Sequence, residues 1–267
     1  MAELSGKNGG VYVSNLVVED CEDAWDESVD TDVTESADSS DYKAGSASAK
    51  FVCAAGLGAG DIVATEVISK DLTGYDVIMA WVKSSVALAA GDWQLLLDDT
   101  ASCASPIKSL DIPALSANTW TRVLLDLGDA SGLGSLISIG LKQVTDKGAM
   151  NFWIDDVQAL AIVDGVKSWS LDSTTDALEV TDFADGGTRA YIAGCSGWTG
   201  SFEGSKDGAP LSIGSEVRVA LAESTTSGQC WLGLAILTGL HPSASFDGVV
   251  TYGYDFQGTE ALEVASV

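Results

Sequence analysis

The feature that most restricts this chain is how its apolar residues recur: in short runs, at alternate positions, with clusters of Asp, Ser, Thr and Gly between them. Across residues 164 to 208 the runs hold Val166, Trp169 and Leu171, then Leu178 and Val180, then Trp198 and Phe202. A period of two puts alternate side chains on opposite faces of a strand, and the polar clusters break the ladder, so the stretch reads as all-β. Few Pro or Lys residues guard these strands, the profile of edges meant to pair with other strands or other subunits. A chain of 267 residues, 46% hydrophobic with 29 glycines, is long enough for one or two domains with a real core, and turn-rich rather than disordered.

The formal charge of -26, from 39 acidic against 13 basic residues, argues against sequence-led capture of nucleic acid, because phosphate binding needs basic patches that release counterions. Such acidity suits a soluble protein, and equally a wall along which DNA slides without sticking. No apolar run reaches about 18 residues, so no membrane span is expected, and MAELSGKNGG lacks the features of a secretory signal. The cysteines Cys21, Cys53, Cys103, Cys195 and Cys230 are odd in number and far apart, without a CxxC pair, and most are expected to be small buried residues.

Nothing assembles a nucleophile, base and orienter, so no catalytic residues and no enzymatic activity are expected. His241 precedes Pro242 with no carboxylate at ligand spacing and reads as structural or surface. Asp172, Asp176 and Asp182 read as loop acids that form turns. AAGLGAGD around Gly56, Gly58 and Gly60 has no following Lys and reads as a turn rather than a phosphate loop.

Strand candidates fill the chain. Residues 6 to 13, GKNGGVYV, are a turn and a short strand; eight apolar runs follow at 15–25, 46–54, 63–72, 75–84, 92–99, 120–127, 136–144 and 151–160, spaced like the strands of a sandwich. After about Ile162 come 165–172, 178–183, 189–194 and 198–204. The turn SKDGAP then leads from 198–204 into 215–224, TTSGQ leads on into 230–243, and a last strand follows at 249–258, all read as an antiparallel meander.

The run GVKSWSLD, LEVTDF, RAYIAG, WTGSFEG and SFDGVVTYGYDFQG resembles, in order and spacing, the tail tube proteins of long-tailed bacteriophages. The resemblance implies a β-sandwich that self-associates into rings, usually hexameric, stacked into a tube through which DNA passes without sequence-specific binding. It further implies a place in the virion tail among other tail proteins, after synthesis in the host cytoplasm. In such proteins the opening strand runs through a short turn into the strand matching GVKSWSLD; here the two lie about 150 residues apart. The economical reading is a discontinuous tube domain, 1–15 with 162–267, interrupted by a domain at 16–161. Insertion at a loop tip requires the insert's own ends to lie close together. The insert's EDCEDAW, YDVIMAWVKS, IPALSANTWTRVLLDL and FWIDDV resemble the jelly-roll carbohydrate-binding modules, whose first and last strands are neighbours. A capsid or tail decoration protein and a free carbohydrate-binding module are the alternative roles.

Residues 19 to 41 contain eleven acids and no Lys or Arg, most simply a solvated loop and strand face. The sharper alternative, implied by the jelly-roll resemblance, is a structural calcium ion held by Glu19, Asp20, Glu22 and Asp155; no cofactor is otherwise required. Trp25, Trp81, Trp93, Trp120 and Trp153 all fall in the insert, four of them on strand-like runs where a core role is expected, with stacking on a host-surface glycan left to one or two. Trp198, Phe202, Arg189 and Lys167 are the candidates for contacts between subunits.

Overall fold

The computed structural model describes residues 6–206, 208–225 and 228–266. Asp207, Thr226 and Ser227, inside two turns expected from the sequence, lie outside it, as do residues 1–5 of the opening segment. The chain is all-β, 56% strand and 3% helix, with antiparallel sheets. It divides into two compact units, Met1–Val13 with Val163–Val264, and Ser14–Ile162 with the last three residues.

The strands in chain order begin with β1 (Gly10–Glu19), β2 (Ser28–Val29), β3 (Val33–Asp38), β4 (Ser48–Cys53), β5 (Ile62–Lys70) and β6 (Val77–Ser84). Then come β7 (Trp93–Asp98), β8 (Lys108–Asp111), β9 (Thr121–Asp126), β10 (Leu136–Gln143) and β11 (Met150–Ile162). The last are β12 (Val166–Glu179), β13 (Tyr191–Ser205), β14 (Glu216–Ala222), β15 (Gln229–Ser243), β16 (Thr251–Gly258) and β17 (Glu263–Ser266).

In the unit from Ser14 to Ile162, one sheet runs β3-β4-β11-β6-β9 and the other β2-β5-β10-β7-β8, with β1 beside β11. The chain alternates between the two sheets, as a jelly roll does, and the inward side chains interdigitate. Trp93 on β7 stacks on Phe152 of β11, centroids 4.3 Å apart, and Trp25 meets Phe51 of β4 edge-on at 5.7 Å. All four rings are fully buried, and truncating any of them to Ala costs about 3–5 kcal/mol. The acid-rich stretch contributes β2 and β3; Val33 points into this core while Thr34 and Ser36 face out. The unit's two ends come together, since Ser14 Oγ donates to the Ala159 carbonyl.

The other unit is one sheet in the order β12-β13-β16-β15-β14-β1, with β17 on β15. Its core joins Val11 to Trp198, Phe202, Val217, Val219, Leu221, Tyr254 and Phe256. The opening strand and the carboxyl-terminal strands thus share one core, and Val163 N donates to Val11 O at 2.8 Å as the chain re-enters.

Two expectations are corrected here. The polar clusters around Ser173 and Ser196 do not break the strands: Ser173 pairs with Trp198 and Thr175 with Ser196, so β12 and β13 are single strands of 14 and 15 residues. Asp172 and Asp176 accordingly sit in β12 rather than in a loop; Asp182 does lie in the turn. The meander is also incomplete, because β13 pairs with β16 and not with β14. The register sets Phe202 opposite Tyr254 and Gly200 opposite Phe256, so each large ring of β16 gains a partner or a space. A Cβ at position 200 would lie 2.4 Å from the Phe256 ring.

Candidate assembly surface

The β12–β13 ribbon runs beyond the core that roots it. Near its base Trp169 and Leu171 pack against the core, whereas from Asp172 to Glu179 every residue of β12 is exposed. Between Thr175 and Ala177 the register shifts, two residues of β13 opposing Asp176, and this bulge separates the base from a distal arm. In the arm, Leu178 lies opposite Ile192, and Val180 N donates to the Ala190 carbonyl at 2.9 Å. Directly opposed residues share a face, so Leu178, Val180, Ile192 and Ala190 make one apolar side. Glu179, Tyr191 and Arg189 make the other, with Arg189 Nη1 3.8 Å from Glu179 Oε2.

The arm's end is built locally. Asp182 Oδ1 accepts the Ala184 amide at 2.7 Å and Thr181 Oγ1 accepts the Ala190 amide at 3.1 Å. Gly186 and Gly187 take the positive φ values, 59° and 88°, that turn the chain back. At this tip Phe183 is fully exposed, and Leu178 and Ile192 are about half exposed. Along its outer side β12 has no strand neighbour among the described residues, leaving ladder groups open for another strand.

The expected contact residues divide. Trp198 and Phe202, at 4% and 2% exposure, are not on a surface; they fill the core. Glycine makes the room: a Cβ at Gly233 would come within 2.3 Å of the Trp198 ring, and one at Gly258 within 2.1 Å. Trp198 Nε1 donates to the Glu260 carbonyl at 2.7 Å, which satisfies its buried N–H. Arg189 lies on the arm, exposed. Lys167 is exposed at the ribbon's base, in a groove of about 560 Å³ that it lines with Lys7, Val166, Trp169 and Glu223. A second groove crosses β12, β13, β16 and β15, lined by Ser168, Ser170, Ser201, Glu203, His241 and Asp255. Sequence spacing hid the partner of His241: strand pairing brings Asp255 Oδ2 to 2.8 Å from its Nε2.

In the unit from Ser14 to Ile162, the four candidate calcium ligands do not form one cage. Among the described residues no three such side chains gather as a metal site. Glu22 accepts from Ser46, whose hydroxyl and amide hold its carboxyl below the usual range. Asp20 accepts the Glu22 amide, and Glu19 the Cys21 amide. Asp155 Oδ2 accepts the Lys43 and Ala44 amides at 2.6 and 2.9 Å, while its buried Oδ1 has no hydrogen-bond partner. Burial raises the carboxyls of Asp155 and of Glu19, the latter to about 7.

Of the five tryptophans here, Trp25, Trp93 and Trp153 are buried. Trp81 and Trp120 are half-buried, and the face of Trp81 that stacking would need is in use. Lys43 Nζ and the Arg122 guanidinium lie 4.7 and 4.5 Å from the Trp81 ring, and Lys50 and Lys83 lie 5.3 and 5.0 Å from Trp153. Trp120 Nε1 is tied to Asp41 at 2.7 Å. Periodicity could not have found this, because Lys50, Lys83 and Arg122 reach the rings from neighbouring strands and Asp41 and Lys43 from a segment outside the strands.

The fold and this surface define a class: an all-β chain with a long, uncovered ribbon suited to association. No protein-family model matches the sequence, and no curated protein matches it. Among solved structures, a chain from the tail of an empty gene transfer agent particle is similar at 18% identity over 39% of this chain and 84% of its own length, with a TM-score of 0.32. A chain of the native gene transfer agent virion gives 16%, 40%, 88% and 0.33. The tandem CBM22 domain of Paenibacillus barcinonensis Xyn10C gives 12% identity over 99% of this chain and 86% of its own, at 0.36. Likenesses this distant transfer no role to this chain.

Proposed function

We propose that this chain is a structural subunit of a bacteriophage tail tube, self-associating through the unit that holds β12–β17, with the other unit carried as an insertion on the outside. The observation that carries it is the ribbon: an apolar arm face and an open strand edge stand exposed on a unit whose own core is complete. Such a surface on a soluble chain marks a contact with another chain. The resemblance noted in the sequence supplies the particular assembly, stacked rings around a DNA conduit in a virion tail.

The groove carrying Glu203, Asp255 and several hydroxyls has no Lys or Arg among the described residues of its lining, a chemistry that repels phosphate and so suits a passage DNA must slide through. The unit of about 149 residues between Ser14 and Ile162 is too large for a channel, which favours the outside. Its cation-capped tryptophans count against a sugar platform, and this reading assigns neither catalysis nor a cofactor to the chain. Electron microscopy of the concentrated protein tests the proposal. Hollow tubes or rings are expected; a monomer that associates only when finished capsids are added would transfer the chain to a decoration role.

A further inference from the structure

The tip of the ribbon and the groove at its base are complementary, yet one chain cannot bring them together. At the tip, Asp182 and Phe183 are exposed side by side in sequence, and the nearby charges of Glu179 and Arg189 offset each other. At the base, the groove presents Lys7, Lys167 and the half-buried ring of Trp169. These are two cations in a chain that has only 13 against 39 acids. Glu223, the carboxylate among the described lining residues, accepts the Gln229 amide at 3.0 Å.

From Trp169 to Glu179 is ten residues of one strand, roughly 33 Å at about 3.3 Å per residue, with the tip further still. The ribbon therefore holds its own tip away from its own groove.

We infer that the 181–183 tip of one copy docks into the Lys7–Lys167–Trp169 groove of a second copy, Phe183 against Trp169 and Asp182 beside the lysines. The inference rests on the self-association proposed above and adds which surfaces meet. Charge selects this groove over its neighbour, where Glu203 and Asp255 would repel the tip. Because tip and groove are different surfaces, the contact is heterologous: each copy gives a tip and receives one, so the series closes into a ring or continues as a filament.

The test uses the full chain and two substitutions on exposed residues, Phe183→Ser and Lys167→Glu, each first shown by circular dichroism to keep the wild-type spectrum and melting temperature. In sedimentation velocity the wild type is expected to grow into large species with concentration, less so in high salt. Each variant alone is expected to lose at least tenfold in self-association. Mixed, they should form one-to-one pairs and nothing larger, because one variant keeps a working groove and the other a working tip. Variants that assemble like wild type, or a mixture that stays monomeric, would overturn this contact while leaving the tube reading intact. A wild type that never associates sinks both.

Discussion

Replacing Leu178 and Ile192 together by Ser tests whether the apolar arm face is an interface. The two side chains oppose each other across the ribbon and are 51% and 54% exposed, so roughly half of each is left for a neighbour to cover. Full burial of such a side chain is worth about 1.5–3 kcal/mol, so half of each gives about 1 kcal/mol apiece and about 2 kcal/mol per arm. At about 1.4 kcal/mol per tenfold, the self-association constant should fall about 25-fold. Neither residue belongs to the core cluster, so folding stability should change by no more than about 0.5 kcal/mol. Light scattering against concentration reads the first quantity and thermal melting the second. Undiminished assembly together with a melting temperature several degrees lower would refute the reasoning, since the face would then be internal packing.

Gly233→Ala drives a methyl into the Trp198 ring and should destabilise by about 1–3 kcal/mol; the loss should shrink in a Trp198→Leu background, and equal losses in both would dismiss the cradle. Deleting 14–162 and joining Val13 to Val163 with a short turn should leave a folded domain, because Val11 and the carboxyl-terminal strands share a core; a molten product by near-ultraviolet circular dichroism would count against two separable units. Glu19, raised from 4.5 to about 7, favours its protonated form in the fold, so its contribution is full below about pH 4.5 and lost as pH rises through about 7. Linkage caps this at about 3 kcal/mol, and solvent reaching a half-buried carboxyl reduces it to about 1–2 kcal/mol. Glu19→Gln should flatten the fall in melting temperature between pH 5 and 8, and an unchanged slope would reject the assignment. Because no carboxylate cage forms among the described residues, millimolar calcium should leave the melting temperature unmoved, and a rise of several degrees would restore an ion at Asp155.

Much of the fold was legible in the residues because burial imposes its period locally. Val217, Val219 and Leu221 on β14, and Ala49 and Phe51 on β4, alternate inward wherever they pair, and no partner need be known to read that. The ribbon was less legible. Ser173, Thr175 and Gly197 look like breakers when read singly, but each is tolerated in a strand when a facing strand supplies its ladder bonds.

The sequence by itself determined which side chains prefer the interior and that strands, not helices, would carry them, since alternation depends only on neighbours along the chain. Tertiary structure alone decided which interior each one reached. Trp198, read as a contact for another subunit, is enclosed because Gly233 and Gly258 arrive from strands 35 and 60 residues away in sequence. Trp81 and Trp153, two of five tryptophans for which the sequence expects mainly core roles, have cations on their faces brought by residues remote from them in sequence. Asp255 meets His241 only because β15 and β16 pair in one register. Distances across strands are set by pairing and packing, and those are properties of the folded chain as a whole.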